Sequence, residues 1–124
     1  MTITEKHIVL IDDDITSLDI VAFLFEDKGF KVHRCADGYS AIEYLKTIVP
    51  DFILVDLMMP GINGAETVTQ IRALGLKNIP IIAFTAIDDP ELHAEALAAG
   101  CNEVLTKPLH PEKLLLKVKT FLAD

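Results

Sequence analysis

The chain has 124 residues, of which 51% are apolar and 24% are charged. This length is typical of one domain, and such a domain buries roughly two-thirds of the surface that its unfolded chain exposes, so no disulfide or structural metal is needed to complete the core. The 19 acidic and 11 basic side chains give a net charge of −8. Because binding to nucleic acid depends on clustered basic residues, direct contact with nucleic acid is not expected. We predict one domain spanning residues 1–124.

The segments between the charged residues are too short to cross a bilayer. Residues 1–6 contain no apolar stretch of the kind found in signal peptides. We therefore expect a cytoplasmic protein without membrane insertion.

Strands and helices alternate along the chain. Five short segments rich in Val, Ile, Leu and Phe predict strands: His7 to Asp12, Lys31 to Cys35, Asp51 to Asp56, Ile79 to Thr85 and Glu103 to Thr106. Five helical patterns lie between or after them: Ile15 to Lys28, Gly38 to Ile48, Gly64 to Gly75, Asp88 to Gly100, and a last helix that begins at about Pro111. This alternation predicts an α/β fold in which a doubly wound parallel sheet is covered by helices on both faces. Ligands bind to such sheets beyond the carboxyl ends of the strands.

Acidic residues follow two of the predicted strands. Asp12, Asp13 and Asp14 come after the first strand, and Asp56 ends the third. If these strands are parallel neighbours, the carboxylates meet at one edge and repel each other. Either a divalent cation among them or a raised pKa of one carboxyl group would make this arrangement tolerable.

Thr85 ends the fourth predicted strand, and Lys107 and Pro108 follow the fifth. A carboxylate cluster, a hydroxyl and a lysine at one edge are what transient phosphorylation of a carboxylate requires. Asp56 would be the nucleophile, and a hard cation such as Mg²⁺ would offset negative charge. The lysine and the hydroxyl would contact phosphoryl oxygens.

These residues resemble the receiver domains of two-component response regulators. The matching motifs are the Asp12-Asp13 pair, the segment from Val55 to Gly64, Thr85-Ala86 and Lys107-Pro108, in that order and spacing. The resemblance covers essentially the whole chain. It implies a flavodoxin-like (βα)5 domain with a parallel five-stranded sheet in the order 2-1-3-4-5.

The resemblance also implies a metal site. Asp13 and Asp56 would bind Mg²⁺ directly, with Mn²⁺ as a substitute, and the backbone carbonyl of Met58 would be the third ligand from the protein. Asp12 would act mainly through water. Asp14 is instead expected to cap the first helix.

By the same resemblance, Asp56 accepts a phosphoryl group from a phosphohistidine on a sensor histidine kinase or a histidine phosphotransfer protein. Thr85 and Lys107 would hold the phosphoryl oxygens, and the bond between Lys107 and Pro108 is a candidate for the cis form. The protein would be a signalling phosphoacceptor that catalyses only its own phosphorylation and dephosphorylation, and not an enzyme in the usual sense. The downstream effector is unidentified.

Three residues depart from the family's usual pattern or modify it. Val104 stands where the family often has an aromatic side chain that changes rotamer with the threonine, so signal output would travel by backbone or loop movement instead. Met58 and Ile87 occupy positions that influence how water reaches the acyl phosphate. Because both are apolar, we expect a fairly long-lived phosphorylated state.

The first helix carries two apolar stripes. The first is Ile20, Val21 and Leu24, and the second is Leu18, Ala22 and Phe25, with Phe23 further round. Family register places the first stripe inward and leaves the second to dock a partner's histidine-bearing helices. Alternatively, a slightly rotated helix buries both.

The cysteines and histidines are assigned no chemistry. Cys35 and Cys101 lack a CxxC spacing and are expected to be small buried apolar residues. The histidines stand singly and are expected to be partly exposed: His7, His33, His93 and His110.

Two other functions that use a similar fold fit the sequence less well. A haloacid dehalogenase-type phosphatase would need a second aspartate where Met58 stands, and a flavodoxin-like electron carrier would need a hydroxyl-rich loop where Asp12 to Asp14 stand. The main alternative is a degenerate receiver that serves as a phosphorylation-independent interaction module. Whether the chain acts alone or as part of a longer protein is left open.

Overall fold

The structure is a computed structural model that describes residues 6–108 and 110–122. The five strands are β1 His7–Ile11, β2 Lys31–Cys35, β3 Phe52–Asp56, β4 Ile81–Thr85 and β5 Glu103–Thr106. The five helices are α1 Ile15–Asp27, α2 Gly38–Leu45, α3 Gly64–Ala73, α4 Pro90–Ala99 and α5 Pro111–Leu122.

All five strands are parallel and lie in the order β2-β1-β3-β4-β5. This confirms the predicted flavodoxin-like (βα)5 fold. Side chains alternate between the faces of the sheet, so the core has two layers. One layer lies under α2, α3 and α4, and the other lies under α1 and α5. Strand order reverses between β1 and β3, and the loops that follow these two strands meet there.

Four predicted boundaries were wrong by two or three residues. Helix α3 ends at Ala73 and not at Gly75, and helix α4 begins at Pro90 and not at Asp88. Helix α2 ends at Leu45 and not at Ile48, because the hydroxyl of Thr47 donates to the carbonyl of Tyr44 and closes the last turn. Strand β4 begins at Ile81 and not at Ile79, because the carbonyl of Ile79 is bound by the guanidinium of Arg72 instead of a neighbouring strand.

The predicted capping role of Asp14 is confirmed. Its carboxylate accepts hydrogen bonds from the backbone N–H groups of Thr16 and Ser17, at 3.1 and 3.4 Å. These bonds satisfy two of the donors that a helix leaves unpaired at its N-terminus. Asp89 caps α4 in the same way, with Pro90 in the first turn.

The predicted register of α1 was wrong. The stripe of Leu18, Ala22 and Phe25 faces the sheet, with exposed fractions of 4%, 0% and 0%. Ile20, which was expected inside, is 59% exposed, and Val21 and Leu24 are only partly buried. Both stripes are apolar, so hydropathy did not separate them; the spacing i, i+4, i+7 of the buried stripe gives one continuous contact line along the helix. Leu18 and Phe25 therefore cannot dock a partner.

Cys35 and Cys101 are buried in the layer under α2, α3 and α4, as expected for small apolar residues. Burial raises the pKa of each thiol to about 11, so both remain protonated at neutral pH. In the described part of the chain, no helix has the length and apolarity that crossing a membrane requires.

Candidate functional site

The sheet brings the aspartates of two strands together. Strands β1 and β3 are adjacent, and Ile11 pairs with Val55, so the next residue of each strand, Asp12 and Asp56, lies at the same height. The backbone N–H of Asp12 donates to the carbonyl of Cys35 on β2, at 3.1 Å. The end of β1 is therefore fixed from both sides.

Three carboxylates form one cluster. Asp12, Asp13 and Asp56 each contribute an oxygen that lies within 4.8 Å of the other two. Asp12 and Asp56 are buried, with exposed fractions of 1% and 5%, whereas Asp13 is exposed. The cluster is thus a shallow acidic recess whose floor is Asp12 and Asp56.

Lys107 reaches this recess from the loop after β5. Its Nζ lies 3.4 Å from Oδ2 of Asp56 and 3.8 Å from Oδ2 of Asp12. The ammonium group also lies 5.1 Å from the centre of the Phe84 ring, within the range of a cation–π contact. The bond between Lys107 and Pro108 is cis, as predicted. One lysine is therefore in contact with two of the three carboxylates.

Burial of Asp12 changes its acidity. The pKa of the Asp12 carboxyl is raised from 3.8 to about 6, mainly because burial desolvates the charged form and also because Asp56 carries a negative charge nearby. The backbone N–H of Asp14, which donates to Oδ1 of Asp12 at 3.0 Å, and the charge of Lys107 act in the opposite direction. The positive charge of one lysine does not offset the cost of placing the carboxylates together. A cation bound among the carboxylates would offset this cost.

Thr85 lies at the same edge, at the end of β4, and is completely buried. Its Oγ1 accepts a hydrogen bond from the backbone N–H of Ile87 at 3.1 Å. The backbone carbonyl of Thr85 accepts from the N–H of Lys107 at 2.7 Å, which links the ends of β4 and β5. The structure thus places the hydroxyl next to the loop after β4.

The loop after β3 is folded tightly against Asp56. The N–H of Met58 donates to Oδ1 of Asp56 at 3.1 Å, so the Met58 backbone lies beside the carboxylate, while its side chain is 50% exposed. The loop returns at Gly64, where a Cβ atom would clash with the carbonyl of Asp56 and lie 2.6 Å from Cα of Leu57. Only glycine allows this close approach. The role of the Met58 carbonyl as a metal ligand stays a prediction.

The carboxylate cluster fits a magnesium ion. Mg²⁺ binds six oxygen atoms in an octahedron at about 2.0–2.1 Å, which places adjacent ligands about 3 Å apart and opposite ligands about 4 Å apart. Oxygens that already lie within 4.8 Å of each other need only small side-chain movements to reach this geometry. Asp12, Asp13 and Asp56 are the residues that would hold the ion.

A cavity of about 500 Å³ opens beside the recess. It was not predicted from the sequence, because it forms between α1 and loops that are distant in the chain. Its lining consists of Asp12, Ser17, Ile20, Val21, Phe84, Ala86, Lys107 and Pro108. It gives an approach to the carboxylates past an apolar wall.

Val104 is partly buried and packs against the core layer under α2, α3 and α4. This position holds no aromatic side chain that could couple to Thr85.

Known proteins of one family match the chain over most of its length. A model of the response regulator receiver domain matches residues 8–119. Among curated proteins, the phosphate regulon transcriptional regulatory protein PhoB of Escherichia coli is 28% identical over 118 residues, which are 94% of this chain and 52% of PhoB. The chain thus spans about half the length of this relative.

Two solved structures are similar over nearly the whole chain. The chemotaxis protein CheY4 of Vibrio cholerae has a TM-score of 0.91 and 31% identity, covering 96% of this chain and 100% of CheY4. The receiver domain of the sensor histidine kinase PA1611 of Pseudomonas aeruginosa has a TM-score of 0.89 and 26% identity, covering 98% and 100%. In that structure a magnesium ion is coordinated in the active site cleft. On the family match and the fold together, this chain belongs to the response regulator receiver domains of two-component systems.

Proposed function

We propose that this chain is the phosphoacceptor of a two-component phosphorelay and that Asp56 receives the phosphoryl group. The observation that carries the proposal is the environment of Asp56. This carboxylate is 5% exposed, lies 3.4 Å from the Nζ of Lys107, and shares its recess with two further carboxylates. A structural ion pair would not need the additional negative charges.

In the proposed reaction, a carboxylate oxygen of Asp56 attacks the phosphorus of a phosphohistidine. The P–N bond breaks, the electron pair stays on the imidazole, and the product is an acyl phosphate on Asp56. Lys107 holds one phosphoryl oxygen, and Thr85 donates a hydrogen bond to another. Bound Mg²⁺ supplies positive charge against the carboxylates and the phosphoryl oxygens. The same residues serve phosphorylation and dephosphorylation, so the chain acts only on itself and does not turn over a separate substrate.

The test uses a small phosphodonor. The protein is incubated with acetyl phosphate and Mg²⁺ and examined by intact-protein mass spectrometry. We expect a gain of one phosphoryl group that disappears in Asp56→Asn and in the presence of a chelator. Asp14→Asn is the matched control and should keep the gain, because asparagine also caps helices.

If the wild-type protein gains no phosphoryl group, or if Asp56→Asn still gains it, the proposal is wrong. The first result would favour the alternative of a degenerate receiver that binds partners without phosphorylation, for which the replacement of the usual aromatic residue by Val104 is the supporting feature.

The partner that donates the phosphoryl group is proposed to be a sensor histidine kinase or a histidine phosphotransfer protein. Its histidine would approach Asp56 through the cavity beside the recess. Ile20, at 59% exposure, is an apolar residue at the mouth of this cavity. Ile20→Lys should lower phosphotransfer from such a partner but leave labelling by acetyl phosphate intact. Leu97→Lys, on α4 at 50% exposure, is the control. Equal loss with both donors would exclude docking at Ile20.

Phosphorylation of Asp56 is proposed to alter the binding of a downstream partner through the loop after β4. When the Thr85 hydroxyl turns toward a phosphoryl oxygen, its hydrogen bond with the Ile87 N–H must lengthen or the loop must follow. Residues 86–91, between the end of β4 and the first turn of α4, are exposed. We expect hydrogen exchange of the Ile87 amide to change when Asp56 is phosphorylated. Unchanged exchange throughout residues 86–91 would contradict this route.

A further inference from the structure

The carboxylates of the recess hold Lys107 at longer distances than an ordinary salt bridge does. Its Nζ donates to Oδ2 of Asp56 at 3.4 Å and lies 3.8 Å from Oδ2 of Asp12, whereas charge-assisted N–H···O bonds are usually about 2.7–2.9 Å long. A lysine side chain is also a flexible four-carbon stem with many rotamers. Two long contacts alone would leave the ammonium group poorly placed.

A buried aromatic ring supplies a further contact. Phe84 pairs with Asp56 across β4 and β3, so the ring and the carboxylate leave neighbouring strands at the same height. The Nζ of Lys107 lies over the ring, 5.1 Å from its centre, and the negative face of an aromatic ring attracts a cation within about 6 Å. Phe84 is 2% exposed, so little water competes with the ring for the ammonium group.

Backbone hydrogen bonds fix the positions of both residues. The N–H of Leu57 donates to the carbonyl of Phe84 at 2.9 Å, and the N–H of Lys107 donates to the carbonyl of Thr85 at 2.7 Å. The lysine side chain itself is 26% exposed and lines the cavity beside the recess together with Phe84. The ring is therefore a fixed surface, over which the end of the lysine side chain has room to move.

Such a surface suits a lysine that changes partners. In the proposed reaction, Lys107 turns from the carboxylates to a phosphoryl oxygen. An ammonium group has three N–H donors, and a ring face attracts its charge without acting as an acceptor oxygen. The donors stay available for carboxylate and phosphoryl oxygens while the ring keeps the ammonium group beside the recess.

We propose that Phe84 is a positioning residue for the phosphorylation of Asp56 and that it acts by holding the ammonium group of Lys107 over its ring face. The inference rests on the proposed function, in which Lys107 holds a phosphoryl oxygen. Sequence did not reveal this role, because Phe84 belongs to the apolar segment of β4 and has the pattern of a core residue. The inference predicts that the charge distribution of the ring, and not only its volume, affects the rate of phosphorylation.

The test changes the charge distribution of the ring but not its size. Phenylalanine analogues with one, two and three ring fluorines are placed at position 84 of the full chain, because fluorine withdraws electron density from the ring face with little change in volume. The rate of labelling by acetyl phosphate and Mg²⁺ should fall at each step, about three- to tenfold over the series. Phe84→Leu should lower the rate at least as far.

Phe52 provides the matched control. It is fully buried in the same core layer, under α1 and α5, but it begins β3 at the end opposite to Asp56. Phe52→Leu removes the same atoms from the core as Phe84→Leu does, and the fluorinated analogues make the same change at position 52. All of these proteins should be labelled at the wild-type rate.

A second readout does not depend on phosphorylation. In the unmodified protein, the ring current of Phe84 should shift the ε-methylene proton resonances of Lys107 upfield of those of the other lysines. Phe84→Leu should abolish this shift, and Phe52→Leu should keep it. The fluorinated proteins keep the test available if Phe84→Leu does not fold.

Two results would overturn the proposal. One is an equal labelling rate throughout the fluorine series at position 84, because Phe84 would then act through its volume alone. The other is a Lys107 resonance that Phe84→Leu leaves in place. An unlabelled wild type with the Lys107 shift intact is a different result, since it would contradict the phosphoacceptor function and leave the contact between ring and ammonium group standing.

Discussion

At the carboxyl edge of the sheet, three carboxylates lie together and one lysine contacts two of them, whereas at the amino edge one guanidinium is shared among three backbone carbonyls. Arg72 donates to the carbonyls of Gly100, Leu76 and Ile79 at 2.7 to 3.2 Å. Its Nη2 also donates to the side chain of Asn102, which in turn accepts from the N–H of Ile81. Donors and acceptors are matched at this edge. At the other edge, negative charge exceeds positive charge.

The difference separates stability from function. Polar groups at the amino edge close the loops before β4 and β5, so their removal should destabilise the fold. Polar groups at the carboxyl edge are held together against their mutual repulsion, so the removal of one carboxylate should stabilise the metal-free protein while it disables the site. Substitutions at the two edges should therefore change the free energy of unfolding in opposite directions.

Arg72→Ala is expected to have the largest effect. It leaves three partly buried carbonyls without a donor, and we expect it to lower the free energy of unfolding by about 3 kcal/mol or more. Arg34→Ala is the matched control, because the Arg34 guanidinium also forms several hydrogen bonds, but these go to the carboxylates of Asp19 and Glu26 at the surface. Its effect should be below about 1 kcal/mol. Urea denaturation measures both, and equal losses would contradict the proposed role of the amino edge.

Asp12→Asn is expected to change the free energy of unfolding in the direction opposite to that of Arg72→Ala. The folded-state pKa of Asp12 is about 6, against 3.8 for the unconstrained group, so the folded protein binds more protons than the unfolded one between these pH values. The free energy of unfolding should therefore fall as the pH rises from 4 to 6, by about 2–3 kcal/mol from this group. Asparagine has no carboxyl group that can lose a proton, so it does not contribute to this pH dependence. In the absence of Mg²⁺, Asp12→Asn should be more stable than the wild type at pH 7 and should lack this part of the pH dependence.

The control for this experiment is Asp14→Asn, in which the exposed capping residue keeps its hydrogen bonds. It should follow the wild-type pH curve. A wild-type stability that rises between pH 4 and pH 6 in urea titrations, after subtraction of the Asp12→Asn curve, would mean that the Asp12 carboxyl is stabilised and not strained in the fold.

Much of the carboxyl edge could be predicted from the sequence, because each of its residues either ends a strand or directly follows one. Once the strands are recognised and taken as parallel, Asp12, Asp56, Thr85 and Lys107 must share an edge. The fold could also be predicted, because strands and helices alternate along the chain. The fold and the positions of these site residues therefore follow from short sequence patterns and from the topology that the patterns imply.

The features that could not be predicted from the sequence depend on the rotation of a helix about its axis and on contacts between segments that are distant in the chain. Helix α1 is apolar on more than one side, so its orientation was decided by packing against the sheet and not by hydropathy. Arg72 gave no signal, because its partners are backbone carbonyls, which every sequence has. The side chains of His7 and His33 meet on neighbouring strands at the amino edge, and this pairing depends on strand register, which residue types alone do not specify.

Removal of Mg²⁺ is expected to give a smaller effect than the substitutions at Arg72 and Asp12. At a Mg²⁺ concentration ten times its dissociation constant, binding to the folded state should add about 1.4 kcal/mol to the free energy of unfolding. Asp13→Asn should reduce this gain, since Asp13 is part of the carboxylate cluster. His33→Gln, at the amino edge, should keep it. Equal loss of the gain in both variants would show that Mg²⁺ acts through general screening and not at the recess.

The smallest expected effect concerns the rim of the recess. Met58 and Ile87 are apolar and 50% and 44% exposed, so they flank the approach of water to an acyl phosphate on Asp56 without closing it. In Met58→Asn, Ile87→Glu, polar side chains can orient a water molecule, and the phosphoryl half-life should shorten three- to tenfold, or about 0.6–1.4 kcal/mol in barrier height. Val49→Asn changes an equally apolar, 69% exposed residue just before β3, at the amino edge, and should leave the half-life unchanged. A half-life in the wild type that is much shorter than in the double variant would mean that apolar rim residues do not slow hydrolysis in this receiver.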